Sequence, residues 1–474
     1  MGGVSLLVLA CVFVAQTLAQ SKPHIVFLLL DDLGYNDVGW HNHFNDVLTP
    51  ALDSLARNGT ILEHFYTQPI CTPTRAALMT GRYPIRNGMQ HATIANSSPW
   101  GLPLNETLLS DKLKSLGYAT AIVGKWHLGF FKEEYLPLKR GFDQQVGYYG
   151  GNENYFFHHA PFDAVKVGLD WHRNETEEGV VENDVGVYSA FLYSKGAVDV
   201  IMNHDANRGP LFLYVPFQAV HSPLNDVPPS YCMNPVQFVT NSSRRLNAAH
   251  LWCADDVVRN ITKALEAKGM LDDTVIVFQS DNGAEHFYSG GGGNYGSNYP
   301  LRGIKRQMFE GGVRVASFIF GGKNFRKIIP AGEIRGGLFH VTDWLPTLVT
   351  LAGGDPQKGS LPLDGLNQLP FLSENKTVRT EIFHNYDPEL MGSNIPTQAA
   401  VRVGDWKLIQ FYNKTLMLFN VIDDQTESVD LAAKMPDKVK ELNATMQKYI
   451  SEAVPINNKP ADLHQTPKIW KPWH

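Results

Sequence analysis

Positive charge in runs is what this chain lacks most plainly. Lysine and arginine number 41 against 47 acidic residues, giving a formal net charge of −6. No basic stripe exists to hold nucleic acid, so no nucleic-acid partner is expected, although local cations remain able to attract a small anion. Long apolar runs are scarce too. Beyond Val4–Ala15 none approaches the ~20 residues of a membrane-spanning helix, so no span is expected in the remaining chain. Internal repeats are absent, and low complexity is confined to Gly290–Gly293, without the strand and helix context of a phosphate-cradling loop. No Gly-x-Ser-x-Gly elbow appears, which removes one common serine-hydrolase design. What is present is ordinary globular composition, 43% hydrophobic and 19% charged, over 474 residues, enough for two domains.

Cysteine is also rare, and its distribution is informative. Val4–Ala15 followed by Thr17-Leu18-Ala19-Gln20 reads as a signal peptide, residues 1–19, cleaved after Ala19. Asn58, Asn96, Asn105, Asn174, Asn241, Asn260, Asn375, Asn413 and Asn443 each open an N-x-Ser/Thr triplet, which fits the secretory route. Secretion or lysosomal residence is expected. Of four cysteines, Cys11 leaves with the signal peptide; Cys71, Cys232 and Cys253 remain, an odd number. Cys232 and Cys253 form either one disulfide or two buried thiols.

Continuous apolar runs recur at 24–30, 119–123, 211–215 and 274–278, the pattern of strands buried on both faces. Helical patterns at 50–58, 107–116, 187–203 and 243–268 separate them. The alternation predicts an α/β fold: a large, mostly parallel sheet between helices. Glycine, proline and serine thicken near 355–375. Short strand-like pieces at 399–403, 406–411 and 415–420 and a helix at 435–453 then predict a smaller α+β domain. The expected division is a catalytic domain over 20–365 and a C-terminal domain over 366–474, irregular from Pro455 onward.

Polar clusters follow the strand ends, where ligands gather in open α/β sheets. They are Asp31-Asp32, Lys125 and His127, His221, and Asp281-Asn282. An Asp-Asp pair alone reads as a helix cap or turn. Joined by Asp281 and Asn282 it makes a set of hard oxygen ligands suited to Ca²⁺ or Mg²⁺. Arg75, Lys125, His127, His221 and Lys305, each alone a surface charge, would together form an anion pocket. Lys125 and His127 alternate, so in an extended segment they project to one side. His41/His43 and His158/His159 lack metal-ligand spacing and read as surface or pocket lining. In Pro69-Ile70-Cys71-Thr72-Pro73-Thr74-Arg75 a cysteine lies beside a permanent cation, which suggests a nucleophile that handles an anion.

Two long motifs carry a resemblance. Cys71-Thr72-Pro73-Thr74-Arg75-Ala76-Ala77-Leu78-Met79-Thr80-Gly81-Arg82 and Gly117-Tyr118-Ala119-Thr120-Ala121-Ile122-Val123-Gly124-Lys125-Trp126-His127 resemble the two signatures of the type I sulfatase family, most closely its animal arylsulfatase B (N-acetylgalactosamine-4-sulfatase) branch. Asp31-Asp32-Leu33-Gly34, Asp281-Asn282-Gly283 and Val403-Gly404-Asp405-Trp406-Lys407-Leu408 extend the likeness over nearly the whole mature chain.

The resemblance implies an alkaline-phosphatase-like fold, with an antiparallel sheet in the smaller domain. It implies hydrolysis of sulfate esters, from a small molecule or glycan, and conversion of Cys71 to formylglycine (3-oxoalanine) by the formylglycine-generating enzyme. Hydration of that aldehyde gives a gem-diol. One hydroxyl attacks sulfur and the other expels sulfate. One Ca²⁺ per subunit would be held by Asp31, Asp32, Asp281, Asn282 and modified Cys71. Arg75 would hold the diol, Asp281 would accept the attacking hydroxyl's proton, and His127 would act as base for sulfate release beside Lys125. His221 and Lys305 would bind sulfate and protonate the leaving oxygen. Thr74 stands where the family has Ser or Ala. A phosphate-ester hydrolase of the same superfamily is the alternative enzyme. A non-enzymatic relative would have lost a site residue, and none is missing.

Overall fold

The structure is a computed structural model describing residues 22–161, 166–174, 182–285, 293–390, 396–462 and 471–473. The expected signal peptide and Gly290–Gly292 lie outside these.

His24–Leu30 forms strand β1, buried along both faces because every residue after His24 is apolar. Ile25, Phe27 and Leu29 enter one core while Val26, Leu28 and Leu30 enter the other. The remaining strands of the large domain are β2 (Thr60–Tyr66), β3 (Ala119–Lys125), β4 (Gln144–Tyr148), β5 (His159–Pro161), β6 (Val167–Leu169), β7 (His172–Arg173), β8 (Leu211–Pro216), β9 (Thr274–Ser280), β10 (Ser317–Gly321) and β11 (Glu333–His340). β1 and eight of these form one sheet in the order β11-β2-β10-β9-β1-β8-β3-β4-β7. Pairing is parallel except for β10 against β2 and β9, and β7 against β4. β5 and β6 pair separately.

Helices α1 (Pro50–Arg57), α2 (Cys71–Thr80), α3 (Leu109–Ser115), α4 (Ser189–Asn203), α5 (Ser242–Ala267) and α6 (Trp344–Leu351) cover this sheet. α1, α4 and α5 pack on the Val26 side, and α2, α3 and α6 on the Ile25 side. α3 starts two residues later than its sequence pattern suggests. The Asp111 carboxylate accepts the Leu108 N–H at 3.0 Å and sets the helix start there.

The smaller unit is an antiparallel sheet of β12 (Glu381–Tyr386), β13 (Thr397–Val403), β14 (Trp406–Phe411) and β15 (Leu416–Asn420), covered by helix α7 (Pro436–Ser451). Leu442 and Met446 of α7 pack on Phe383, Val401 and Leu408. Phe371 and Leu372, near the end of the glycine- and proline-rich stretch and beyond the expected boundary at residue 365, belong to the core of the large sheet. Among the described residues no helix is long and apolar enough to cross a membrane.

Cys232 and Cys253 form a disulfide, which resolves their pairing and leaves Cys71 as the free cysteine among the described residues. It ties α5 to the segment before it across 21 residues. Cys232→Ser/Cys253→Ser is expected to cost about 3 kcal/mol through the freedom restored to the unfolded chain. Comparing thermal midpoints of variant and parent checks this.

Candidate active site

The sheet order brings the scattered polar clusters together. β9, β1, β8 and β3 are consecutive parallel neighbours, so their carboxyl ends form one edge. Asp281-Asn282 follows β9, Asp31-Asp32 follows β1, His221 follows β8, and Lys125 ends β3 just before His127. Cys71 is the first residue of α2, where unpaired N–H groups give the helix its positive end. All ten α2 residues are buried, and Gly81 closes the helix in the left-handed region at φ 67°.

Cys71 Sγ lies 3.5 Å from Asp31 Oδ1 and 4.0 Å from Asp32 Oδ1. Arg75 Nη2 donates to Asp281 Oδ2 at 2.8 Å and lies 3.6 Å from Asp31 Oδ2. Lys125 Nζ donates to Asp31 Oδ2 at 2.6 Å, and Lys305 Nζ to Asp32 Oδ2 at 2.7 Å. Lys305 Nζ is also 3.2 Å from His221 Nε2. Three buried carboxylates therefore face three buried cations. Asp32 itself sits at φ 58°, a conformation unfavourable for a residue with a Cβ. Its N–H donates to Asp281 Oδ1 at 3.2 Å and its carbonyl accepts from Asn294 Nδ2 at 2.6 Å.

These contacts set the electrostatics. Burial pushes the Cys71 thiol well above its ordinary pKa, and Asp281 adds to the effect. The unmodified residue is therefore held as a neutral thiol despite the cations around it. Burial, with Asp31 beside it, raises Asp281 to about 6 against the pull of Arg75. Burial alone would raise Asp32, but Lys305 and His221 hold it below the usual carboxylate range. Burial and Lys305 lower His221 to about 4. Burial, Lys125 and Arg75 keep His127 well below its ordinary value.

A cavity of about 340 Å³ opens over Cys71, with His127, His221, Lys305, Arg306 and Asn96 in its wall. Arg75 and Lys125 are fully buried behind the carboxylates and do not line it. The expected common side for Lys125 and His127 fails because His127 turns to φ 57°, with its N–H on the Tyr149 carbonyl at 3.0 Å. Lys125 then points under the site and His127 into the cavity. Arg306, beside Lys305, carried no signal of its own in the sequence. Asn96 carried a misleading one: it is 6% exposed, its Nδ2 donates to the Pro161 carbonyl at 2.7 Å and its Oδ1 accepts from Gly151 N–H. With both ends of its amide engaged inside the fold, Asn96 is pocket lining, and a glycan on it would break those contacts.

Lys125, Lys305 and Arg75 already compensate the carboxylates, so acidity alone does not call for a metal. The donor set does. Asp31, Asp32, Cys71 and His221 present ligand atoms within 4.8 Å of one another. Asn282 donates its Nδ2 to Asp32 Oδ1 at 2.7 Å, while its buried Oδ1 has no hydrogen-bond partner. An unpaired amide oxygen beside carboxylates fits a hard cation.

Comparison with known proteins agrees with this arrangement. The sulfatase family profile matches residues 23–354. Arylsulfatase J of Mus musculus is 36% identical over 97% of this chain and 82% of its own length. N-acetylgalactosamine-6-sulfatase of Homo sapiens is 33% identical over 80% of this chain and 71% of its own. The crystal structure of Ps i-CgsB in complex with k-i-k-neocarrahexaose superposes with a TM-score of 0.78, at 28% identity, covering 92% of this chain and 94% of that one. With the shared alkaline-phosphatase-like architecture and these relatives, the chain belongs to the sulfatase family and is a sulfuric ester hydrolase.

Proposed function

We propose that this hydrolase cleaves sulfate esters through a formylglycine made from Cys71, with one Ca²⁺ held by Asp31, Asp32, Asp281, Asn282 and residue 71. Its substrate is a sulfated glycan, a sulfated glycoside or an aryl sulfate. The observation that carries the reading is Cys71 itself: 1% exposed, between two carboxylates, with a thiol too basic to ionise. As a cysteine it is a poor nucleophile, and as an aldehyde hydrate it would supply two hydroxyls on one carbon. Its burial requires the formylglycine-generating enzyme to act before folding closes the site, as expected in the secretory pathway of a secreted or lysosomal glycoprotein.

The bound cation would lower the pKa of the attacking hydroxyl and draw charge from the sulfate oxygens. Around it, Arg75 holds residue 71 and the Asp281 carboxylate takes the attacking hydroxyl's proton. Lys305 and His221 face the cavity and bind the sulfate. Burial, with Lys305 beside it, keeps His221 neutral until an anion offsets Lys305. His221 then protonates the leaving oxygen. His127, whose Nδ1 has no partner, is the base for sulfate release, with Lys125 holding Asp31 beneath it. The catalytic unit is taken as residues 20–365 and the smaller C-terminal unit as residues 366–474, whose first helix returns Phe371 and Leu372 to the core of the large sheet.

The test is sulfate release from aryl and saccharide sulfates, alongside the mass of the peptide containing Cys71. Faster turnover of matched phosphate monoesters, or an unmodified Cys71 in fully active enzyme, would overturn the reading. The metal has a separate readout. Ca²⁺ at 100 times its Kd is expected to stabilise the parent by about 2.7 kcal/mol, and the response should largely vanish in Asn282→Leu. Equal thermal shifts in both proteins would count against Asn282 as a ligand.

A further inference from the structure

A second cavity, of about 470 Å³, opens beside the catalytic one. The two share Asn152 and Pro161 and meet again where His221 gives way to Ser222, so they form one continuous cleft. Their linings differ in charge. The catalytic cavity carries Lys305 and Arg306 together with His127 and His221. Among its described lining residues the second cavity has neither lysine nor arginine. Its uncharged polar side chains are the amides of Asn152, Asn154 and Asn225 and the hydroxyls of Ser222, Ser243 and Tyr295. Leu224 and Leu246 supply apolar wall between them.

Besides Tyr295, two titratable groups border it, Glu153 and His159. His159 is exposed. Glu153 is buried, with Oε1 3.3 Å from His158 Nδ1 and Oε2 without a hydrogen-bond partner. Neither supplies a fixed positive charge. An anionic group entering this cavity would give up its hydration with no lysine or arginine among the described lining residues to replace it. Amides and hydroxyls, by contrast, both donate and accept, as sugar hydroxyls do. The volume lies within the range of about 300–1,000 Å³ usual for small-molecule sites.

We propose that the second cavity binds an uncharged sugar residue joined to the sulfated unit, which makes the preferred substrate a sulfated saccharide with a neutral neighbour. The assignment rests on the catalytic cavity being the sulfate site. Three substrates separate the possibilities, assayed with the full-length, Cys71-converted enzyme. They are a small aryl sulfate, a sulfated disaccharide whose second unit is a neutral hexose, and its counterpart whose second unit is a uronate. The neutral disaccharide is expected to exceed both others in kcat/KM by at least tenfold. Leu246 is only partly buried in the cavity wall, so it accepts larger side chains. Leu246→Arg should lower the neutral-over-uronate preference at least tenfold. Leu246→Trp should lower the disaccharide-over-aryl ratio by a similar factor. Aryl sulfate turnover with equal or better use of the uronate disaccharide would overturn the proposal, as would unchanged ratios in both variants. Failure to release sulfate from any of the three would overturn the sulfate reading and this proposal with it.

Discussion

Cys71→Ala is expected to lower kcat for sulfate release by at least about 10⁴-fold while the fold persists. The size follows from position. Cys71 Sγ is the reactive atom that lies against both Asp31 and Asp32, and the cavity opens directly over it. No described lining residue of that cavity offers a substitute hydroxyl or thiol at the same point; Thr93 lies on the 93–96 loop of its wall. The structural cost is small. One buried sulfur is lost, the helix start is retained, and the loss of stability should be about 1 kcal/mol. Thermal midpoints within a few degrees of each other, alongside lost turnover, separate chemistry from folding. Retention of full multiple turnover by Cys71→Ala would sink the mechanism.

Cys71→Ser sharpens the same result. A serine offers one hydroxyl where the aldehyde hydrate offers two. It could accept a sulfuryl group but has no second hydroxyl on that carbon to expel it. The expected outcome is release of alcohol up to one equivalent per enzyme, then arrest. Continued turnover would show that release does not depend on a second hydroxyl at residue 71. Thr74 bears on how well the conversion proceeds. Its Oγ1 donates to the Gln68 carbonyl at 3.1 Å and ties the first turn of α2 to the loop before Cys71. In the folded chain the methyl is accommodated without exposing the residue.

How much of this was legible before the fold depended on how each strand is buried. β1, β3, β8 and β9 lie in the middle of the sheet and are covered on both faces, so their residues form unbroken apolar runs. Each ends in a polar residue of the site or leads to one, which is why the site was readable as a set. Their adjacency was not readable, because a parallel sheet's strand order is a property of long-range pairing. β2 escaped notice because Glu63 and His64 interrupt it; they face buried charge rather than hydrocarbon. β11 escaped because it is an edge strand with a register shift between Arg335 and Leu338. α2 has no amphipathic period to detect, since all of its faces are buried. The side chains that define the cavity rim, Arg306 and Asn96, sit in loops where no periodicity acts. Chemistry clustered at strand ends was visible, whereas the shape around it was not.

The second large effect lies away from the cavity. Lys407→Met in β14 is expected to destabilise the protein by about 3–5 kcal/mol, because it removes one partner of a buried ion cluster. Lys407 is fully buried, with Nζ 2.9 Å from Glu310 Oε1 and 3.0 Å from Glu427 Oε1. Glu310 also accepts from the Tyr66 hydroxyl at 2.6 Å, and Arg402 of β13 reaches the same hydroxyl. The cluster thus joins the smaller sheet to the end of β2, five residues before Cys71, and to the segment five residues after Lys305. Burial alone would raise Glu310, but Lys407, Arg402 and Arg314 hold it below the usual range; burial raises Glu427 to about 7 against the pull of Lys407. Without Lys407 the folded-state pKa of Glu427 moves further above the unfolded value near 4.5, while Glu310 loses one of the three cations that hold it down. A group raised in the folded state contributes stability below its unfolded pKa and loses it as pH rises through the folded one. The deficit of Lys407→Met should therefore be smaller at about pH 5 than at about pH 8. Adding Glu427→Gln removes the carboxylate left without its cation while keeping an oxygen for the Glu310 N–H, which Glu427 Oε2 accepts at 2.6 Å in the parent. The double variant should accordingly be more stable than Lys407→Met alone, a non-additivity that unrelated packing defects would not produce. Thermal midpoints of the three proteins at both pH values decide it, and a deficit that shrinks as pH rises would show that the cluster does not act through uncompensated carboxylates.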